Sequence, residues 1–278
     1  MTHSEMVRIG TRLLEEAGIP AAAYEARELY LRTAGLSLSD YALCRTEEAE
    51  AETALRYEER IRRRSDREPL QYITGFAPFY GRDFRVGPGV LIPRFDTETL
   101  VSAVLPKLKE GMRILDLCTG SGCVLMTLIM EGPEGLIGTG TDISDEALRY
   151  AGLNRDRFGL GVDLLKSDLF ESVSGRYDLI TANPPYIRTG EIAALDREVR
   201  DYEPHLALDG DADGLRFYRR ICSLAGQFLK DDGWLAFETG YDEAEDVGKL
   251  MKDAGFAGIR VFRDEAGLER AVIGERHV

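Results

Sequence analysis

RILDLCTGSGCVLM, residues 113–126, carries three instructions in a row. RILDL (113–117) is a short apolar run of the length and character of a buried strand. Gly120 and Gly122 then let the backbone turn sharply and come close to a ligand. From Gly122 to Met130 the apolar residues continue at helical density, so a helix follows at once, its N-terminus facing whatever the glycines approach. Strand, glycine-rich turn and helix in that order open an α/β domain.

Working outward, the alternation persists. LIGTGTDI (136–143) reads as a second strand, Ser144 caps a helix through Asn154, VDLLKSD (162–168) is a third strand and YDLITA (177–182) a fourth. After an irregular stretch come a helix from about Leu215 to Leu229, strand WLAFET (234–239), a helix from about Asp242 to Ala254, and strands IRVF (259–262) and ERAVIG (269–274). This pattern predicts a mostly parallel sheet with helices on both faces. Upstream, Asp96 or Thr97 can cap a helix running to about Leu108. EPLQYITGFAPFYGRDFRVGPGVLIPR (68–94), rich in aromatic and β-branched residues, glycine and proline, reads as a linker with a β-hairpin. From Ser4 to about Arg67 apolar residues recur at three- and four-residue steps, broken by Gly18-Ile19-Pro20 and Gly35-Leu36-Ser37, which predicts a bundle of four or so short helices. No polar cluster there looks catalytic, so the bundle is expected to be a recognition module. The expected domains are a helical recognition domain (1–75), a hairpin linker (76–93) and an α/β domain (94–278).

Composition narrows the chemistry. With 44% hydrophobic and 30% charged residues, the 278-residue chain is ordinary for a soluble globular protein, and no apolar stretch is long enough for a membrane span. Cys44, Cys118, Cys123 and Cys222 lack CxxC spacing and the three histidines lie far apart, so no metal site is expected and reduced thiols in the cytoplasm are the default. Of the net charge of −14, all but −2 falls in residues 86–278. That sign argues against a nucleic acid partner, although Arg60, Arg62, Arg63, Arg64 and Arg67 form a local basic run.

The ligand of the glycine turn is constrained by what it lacks. A phosphate loop needs lysine after its second glycine, where Cys123 stands, and a dinucleotide fingerprint needs a third glycine, where Leu125 stands. An acid-x-x-x-Gly-x-Gly loop from Asp116, with Asp142 ending the next strand to grip ribose hydroxyls, is the pattern of S-adenosylmethionine sites. A tight turn with no ligand fits the loop alone equally well. TANPPYIRTG (181–190) tips the balance. Asn183 and Pro184 present acceptors, Pro184 brings no N–H of its own, and Pro185 adds rigidity. Together they can hold both hydrogens of a planar –NH2 while the Tyr186 ring packs on its face, orienting the nitrogen toward a methyl sulfonium. The bland alternative is a strand-ending turn with a buried tyrosine.

At this point the sequence resembles the release factor glutamine methyltransferases, the PrmC/HemK type. The resemblance spans essentially the whole chain: the helical N-terminal part, EPLQYITG, LIPRFDTETLV, DLCTGSG, TDIS, SDLF, NPPYI and EPHLALDGDADGLRFYR. It implies a Rossmann-like class I methyltransferase that moves a methyl group from S-adenosyl-L-methionine, leaving S-adenosyl-L-homocysteine, to N5 of the glutamine in the Gly-Gly-Gln motif of peptide chain release factors. It further implies that Cys118, Thr119, Gly120, Ser121, Gly122, Asp142, Leu169 and Asn183 bind the cofactor, Leu169 bordering the adenine, and that Asn183, Pro184, Pro185 and Tyr186 hold the glutamine. Two departures stand out: Phe95 and Asp96 replace the usual proline and glutamate, and Cys118 stands where some members have glycine. The alternatives are methylation of a ribosomal protein glutamine or a nucleic acid amino group, and, from another class, a binding protein that keeps the fold without activity. Asp209-Gly-Asp211-Ala-Asp213-Gly214 imitates a calcium loop, but Arg220 holds its twelfth position. Met126 and Met130 read as core, and His205 as a surface or rim residue.

Overall fold

In the computed structural model, which describes residues 1–276, the chain divides into two compact units. One comprises Met1–Phe76 with Asp196–Tyr202; the other comprises Ala77–Leu195 and Glu203 onward. The first unit holds α1 (His3–Glu16), α2 (Ala22–Ala34), α3 (Leu38–Cys44), α4 (Ala51–Ser65) and α5 (Leu70–Thr74). Thr2 and Glu5 form a reciprocal cap at the start of α1, which satisfies two N–H groups that the helix leaves open. Leu14, Ala26, Leu29, Tyr30 and Tyr57 are buried in its core, each large side chain removed from water adding about 1.5–3 kcal/mol. The fifth helix lies within the segment expected to be linker. LQYIT follows Pro69 and ends on Gly75 in the left-handed region (φ 81°), so the stretch is one closed turn.

The hairpin follows as expected, with β1 (Phe76–Phe79) and β2 (Arg82–Arg85), then α6 (Glu98–Val104). The helix ends earlier than expected because Pro106 has no N–H to continue it, and the chain tightens into a 3-10 turn. Neither expected cap forms at its start. Thr97 occupies the capping position without a capping bond, and Asp96 pairs with Arg270 at 2.9 Å.

The sheet begins with β3 (Arg113–Leu117), α7 (Cys123–Glu131), β4 (Ile137–Asp142), α8 (Asp145–Phe158), β5 (Asp163–Lys166) and β6 (Tyr177–Ala182). After α9 (Arg197–Tyr202), which belongs to the first unit, it continues with α10 (Arg216–Phe228), β7 (Leu229–Glu238), α11 (Ala244–Asp253), β8 (Phe256–Arg263) and β9 (Glu269–Arg276). Strand order is β5-β4-β3-β6-β7-β9-β8; the first five run parallel, while β9 is antiparallel to both neighbours. Side chains alternate between two cores, as a sheet covered on both faces requires. Ile114 and Leu179 join the side carrying Leu100, Val124 and Ala151, whereas Leu115, Leu117 and Ile180 join the side carrying Tyr218, Ile221 and Val247. Ser144 caps α8 as expected, accepting from the Ala147 N–H at 3.2 Å, but the helix runs on to Phe158 until Gly159 turns left-handed (φ 66°). β7 starts earlier than expected, with a register shift and Asp232 at φ 60° before the regular part. β8 is also longer than the IRVF core. No described helix is long and apolar enough to cross a membrane.

Candidate active site

Strand order reverses between β3 and β6, so their carboxyl ends open a crevice there. Register does the rest. Leu117 pairs with Ala182, so the next residues, Cys118 and Asn183, leave the sheet side by side. A cleft of about 240 Å3 lies beyond them.

The glycine turn is held from below. The Thr119 N–H donates to the Thr141 carbonyl at 2.9 Å, and the Gly122 N–H to the Thr119 carbonyl at 2.8 Å. Cys118 (φ 55°), Gly120 (φ 57°) and Gly122 (φ 79°) all sit in the left-handed region. That conformation explains why glycine suits position 118, and Cys118 adopts it at a cost. Asp142 accepts from the Gly120 N–H and the Ser144 N–H, both at 2.9 Å. Each of its oxygens keeps an acceptor site. Burial raises its pKa and these backbone donors oppose the rise. Asp116, fully enclosed, accepts from the hydroxyls of Thr119 and Thr181 at 2.7 Å each; burial pushes it up to about 6 against those two bonds. Asn154 of α8 ties the turn to the hairpin, its amide bonding the Ser121 carbonyl and both backbone groups of Arg85.

At the other lip, Pro184 and Pro185 end β6 because neither can donate to the ladder. The Asn183 Nδ2 donates to Thr97 Oγ1 at 3.5 Å, while Oδ1 takes no partner among the described residues. Tyr186 turns its hydroxyl inward to Glu238 Oε1 at 3.4 Å. A second segment backs the turn: the Ile187 N–H donates to the Leu208 carbonyl and the Gly210 N–H to the Ile187 carbonyl. A Cβ at Gly210 would lie 2.7 Å from the Tyr186 backbone, closer than real Cβ atoms come, so glycine is needed for that approach.

Of the residues expected at the site, Cys118, Thr119, Gly120, Ser121, Asp142, Leu169, Asn183 and Pro185 border this one cleft. Gly122, Pro184 and Tyr186 do not border it; they stand immediately behind. The sequence reading passed over the outer wall, Gly89 to Arg94, and the side chain that anchors it. Buried Glu203 accepts from the Ile92 N–H at 3.0 Å and from the Arg94 guanidinium. The signal was a glutamate before proline in EPHL, which pattern alone cannot distinguish from a surface charge. Asp168 and Arg220, paired at 3.0 Å, and Phe217 also line the cleft. His205 is exposed, and Met126 is buried in the core. Asp209 and Asp213 are occupied by Thr189 and Arg219, and among the described residues no cluster could hold a metal.

The cleft therefore offers two carboxylates at the glycine turn, Asp116 buried and Asp142 half-buried, an apolar stretch at Leu169 and Phe217, and an amide oxygen without a partner among the described residues. This donor set fits a cationic ligand bearing an adenosine, and with the strand order it defines a class I S-adenosylmethionine-dependent methyltransferase. Comparison with known proteins agrees. Residues 5–75 match the PrmC N-terminal domain and residues 94–212 the methyltransferase small domain. A release factor glutamine methyltransferase of Agrobacterium fabrum is 38% identical over 95% of this chain and 93% of its own; one of Koribacter versatilis is 37% identical over 99% of each. A T. thermophilus 16S rRNA methyltransferase, solved with AdoMet and guanosine, shares the fold at 17% identity and a TM-score of 0.54, over 73% of this chain and 50% of that one. The chain belongs to the release factor glutamine methyltransferase family.

Proposed function

We propose that this chain methylates N5 of the glutamine in the Gly-Gly-Gln motif of peptide chain release factors, using S-adenosyl-L-methionine. The observation that carries the reading is Asn183: its amide nitrogen is committed to Thr97 while its oxygen stands unpartnered on the cleft wall, beside the glycine turn. The cofactor supplies an electrophilic methyl on a sulfonium. Asp142 would hold the ribose hydroxyls with the acceptor sites its backbone donors leave open, and Leu169 would border the adenine. Cys118 to Gly122 would wrap the remainder at the start of α7. Asn183 Oδ1 and the Pro184 carbonyl would accept the two hydrogens of the glutamine –NH2, pointing the nitrogen lone pair at the methyl. As positive charge passes to the nitrogen, both bonds strengthen, which is where the rate gain arises. Pro185 and Tyr186 keep the turn rigid, so little reorganisation is needed at the moment of transfer.

The helical unit would dock the release factor body, consistent with its lack of any catalytic cluster. The acidic charge of residues 86–278 supports a protein substrate over a polynucleotide, and a substrate drawn from translation supports a cytoplasmic enzyme. The test is mass spectrometry of a release factor, ribosomes and DNA incubated with the protein and labelled cofactor. The methyl should fall on the Gly-Gly-Gln glutamine and vanish when that glutamine is replaced. Methyl on rRNA, DNA or another residue sinks the proposal.

A further inference from the structure

The turn after β6 has a neighbour on its other side that does not border the cleft. Ala182 pairs with Phe237 across β6 and β7, so Glu238, the last residue of β7 and paired with Ala271 of β9, lies abreast of Asn183 where the chain leaves β6. Glu238 is 1% exposed. Its Oε1 accepts from the Tyr186 hydroxyl at 3.4 Å, and its backbone carbonyl from the Tyr218 hydroxyl at 2.9 Å. Its Oε2 is buried with no hydrogen-bond partner. A buried carboxylate with a vacant oxygen costs stability that an apolar residue at the end of a core strand would not, so its place calls for a functional reason.

We infer that Glu238 is a positioning residue for methyl transfer: its ionised carboxylate grips the Tyr186 hydroxyl from within the sheet and so fixes the Asn183–Tyr186 turn. The inference rests on the reading that this turn holds the substrate amide. Ionisation matters because a charged acceptor makes the stronger bond to a phenol and so holds the turn more firmly. The surroundings set where that ionisation falls. Burial pushes Glu238 up to about 7 and the charge of Asp96 adds to the rise, while the Thr97 hydroxyl at the start of α6, Arg270 and the Tyr186 hydroxyl oppose it. Arg270 cannot neutralise it alone, being bound to Asp96 and Asp264 at 2.9 Å each. The other groups that face it include Cys123 on α7 and Tyr218 on α10, and burial pushes the thiol and the phenol upward, which keeps them neutral. The carboxylic acid prevails below about 7 and the carboxylate above it. Methyl transfer should therefore rise with pH through that value and level off.

The experiment is kcat on intact release factor from roughly pH 5.5 to 9, at saturating cofactor, for the full chain and for Glu238→Gln, Tyr186→Phe and the double variant. Wild type should gain about tenfold across a midpoint near 7. Glu238→Gln keeps the shape but not the charge, so its kcat should stay flat at the low-pH level with cofactor affinity unchanged. Tyr186→Phe leaves Glu238 in place and should sit on the same floor, and the double variant should fall no lower, since both changes break one contact. If Glu238→Gln keeps the midpoint, the ionisation belongs elsewhere, for example to Glu243, which burial also pushes up to about 7, and the inference is overturned. Full kcat in Glu238→Gln, or additive losses, overturn it equally. A wild type that methylates no glutamine at any pH would instead refute the proposed function, so the two failures are told apart.

Discussion

Replacing Asn154 by alanine should detach the glycine turn from the hairpin. The side chain is fully buried on α8. Its Oδ1 accepts from the Arg85 N–H at 2.6 Å, and its Nδ2 donates to the Arg85 carbonyl at 3.0 Å and the Ser121 carbonyl at 2.9 Å. Each such bond contributes about 1 kcal/mol net, and a buried group left without its partner costs about 1–3 kcal/mol. Three bonds lost together, with water entering the gap to satisfy part of what remains, give about 3–5 kcal/mol. At about 2–4 °C per kcal/mol for a domain of this size, the melting temperature should fall by about 10 °C. Ser121 lies in the cofactor turn, so S-adenosylmethionine should also bind about tenfold more weakly, the worth of about one hydrogen bond. Asn154→Asp is the sharper control. It keeps the acceptor for Arg85 but points a second acceptor at two carbonyls, so it should be no better than alanine. Thermal unfolding by circular dichroism and calorimetric titration of the cofactor measure both effects. A drop of under about 3 °C with unchanged affinity would show that water replaces the amide and that the hairpin does not brace the turn.

Asn183→Ala should lower kcat by about 10²–10³, by analogy with removing one preorganised group around developing charge, with the fold and most of the cofactor affinity kept. Asn183→Asp, which retains an acceptor, should keep measurable activity, and normal turnover by the alanine variant would remove Asn183 from the mechanism. Asp142→Ala should weaken cofactor binding by about 1.5–3 kcal/mol, read by calorimetry; an unchanged Kd would exclude it from the ribose site. Gly210→Ala places a methyl group 2.7 Å from the Tyr186 backbone and should displace the turn, cutting kcat while the cofactor still binds. Full activity there would mean that segment 208–210 does not support the turn.

Elements with a strong period were legible in the sequence, and so was their order, because a covered parallel sheet writes itself as short apolar runs between helices. The rule that ligands sit where strand order reverses pointed to a crevice at the carboxyl ends of the strands, but that β3 pairs with β6 and brings Cys118 beside Asn183 is a tertiary fact that neither strand's sequence states. What stayed hidden was decided by tertiary contacts. Thr97 looks like a helix cap, but its hydroxyl instead takes the Asn183 amide across the cleft, a bond between residues far apart in the chain. Glu203 and Glu238 carry the most polar of side chains into the interior, and hydropathy reads both as surface. Helix ends were missed by a few residues wherever a local breaker, Pro106 or Gly159, outweighed the periodic pattern or the pattern outran the visible signal.

Helix α9 has a consequence for how such proteins are recombined. The chain leaves the sheet unit after Leu195 and rejoins it at Glu203, and the seven residues between pack within the helical unit. There Glu198 takes Arg64 and Arg67 at 3.2 Å each, and the Tyr202 hydroxyl takes the Asp66 carbonyl at 2.8 Å. The heritable module is therefore discontinuous. A chimera joined at residue 76 would set a foreign bundle against a native α9, whose glutamate would find whatever the donor placed at positions 64 and 67. Exchange of the helical unit between relatives requires two crossovers in the gene instead of one, and α9 and the bundle should change together or not at all.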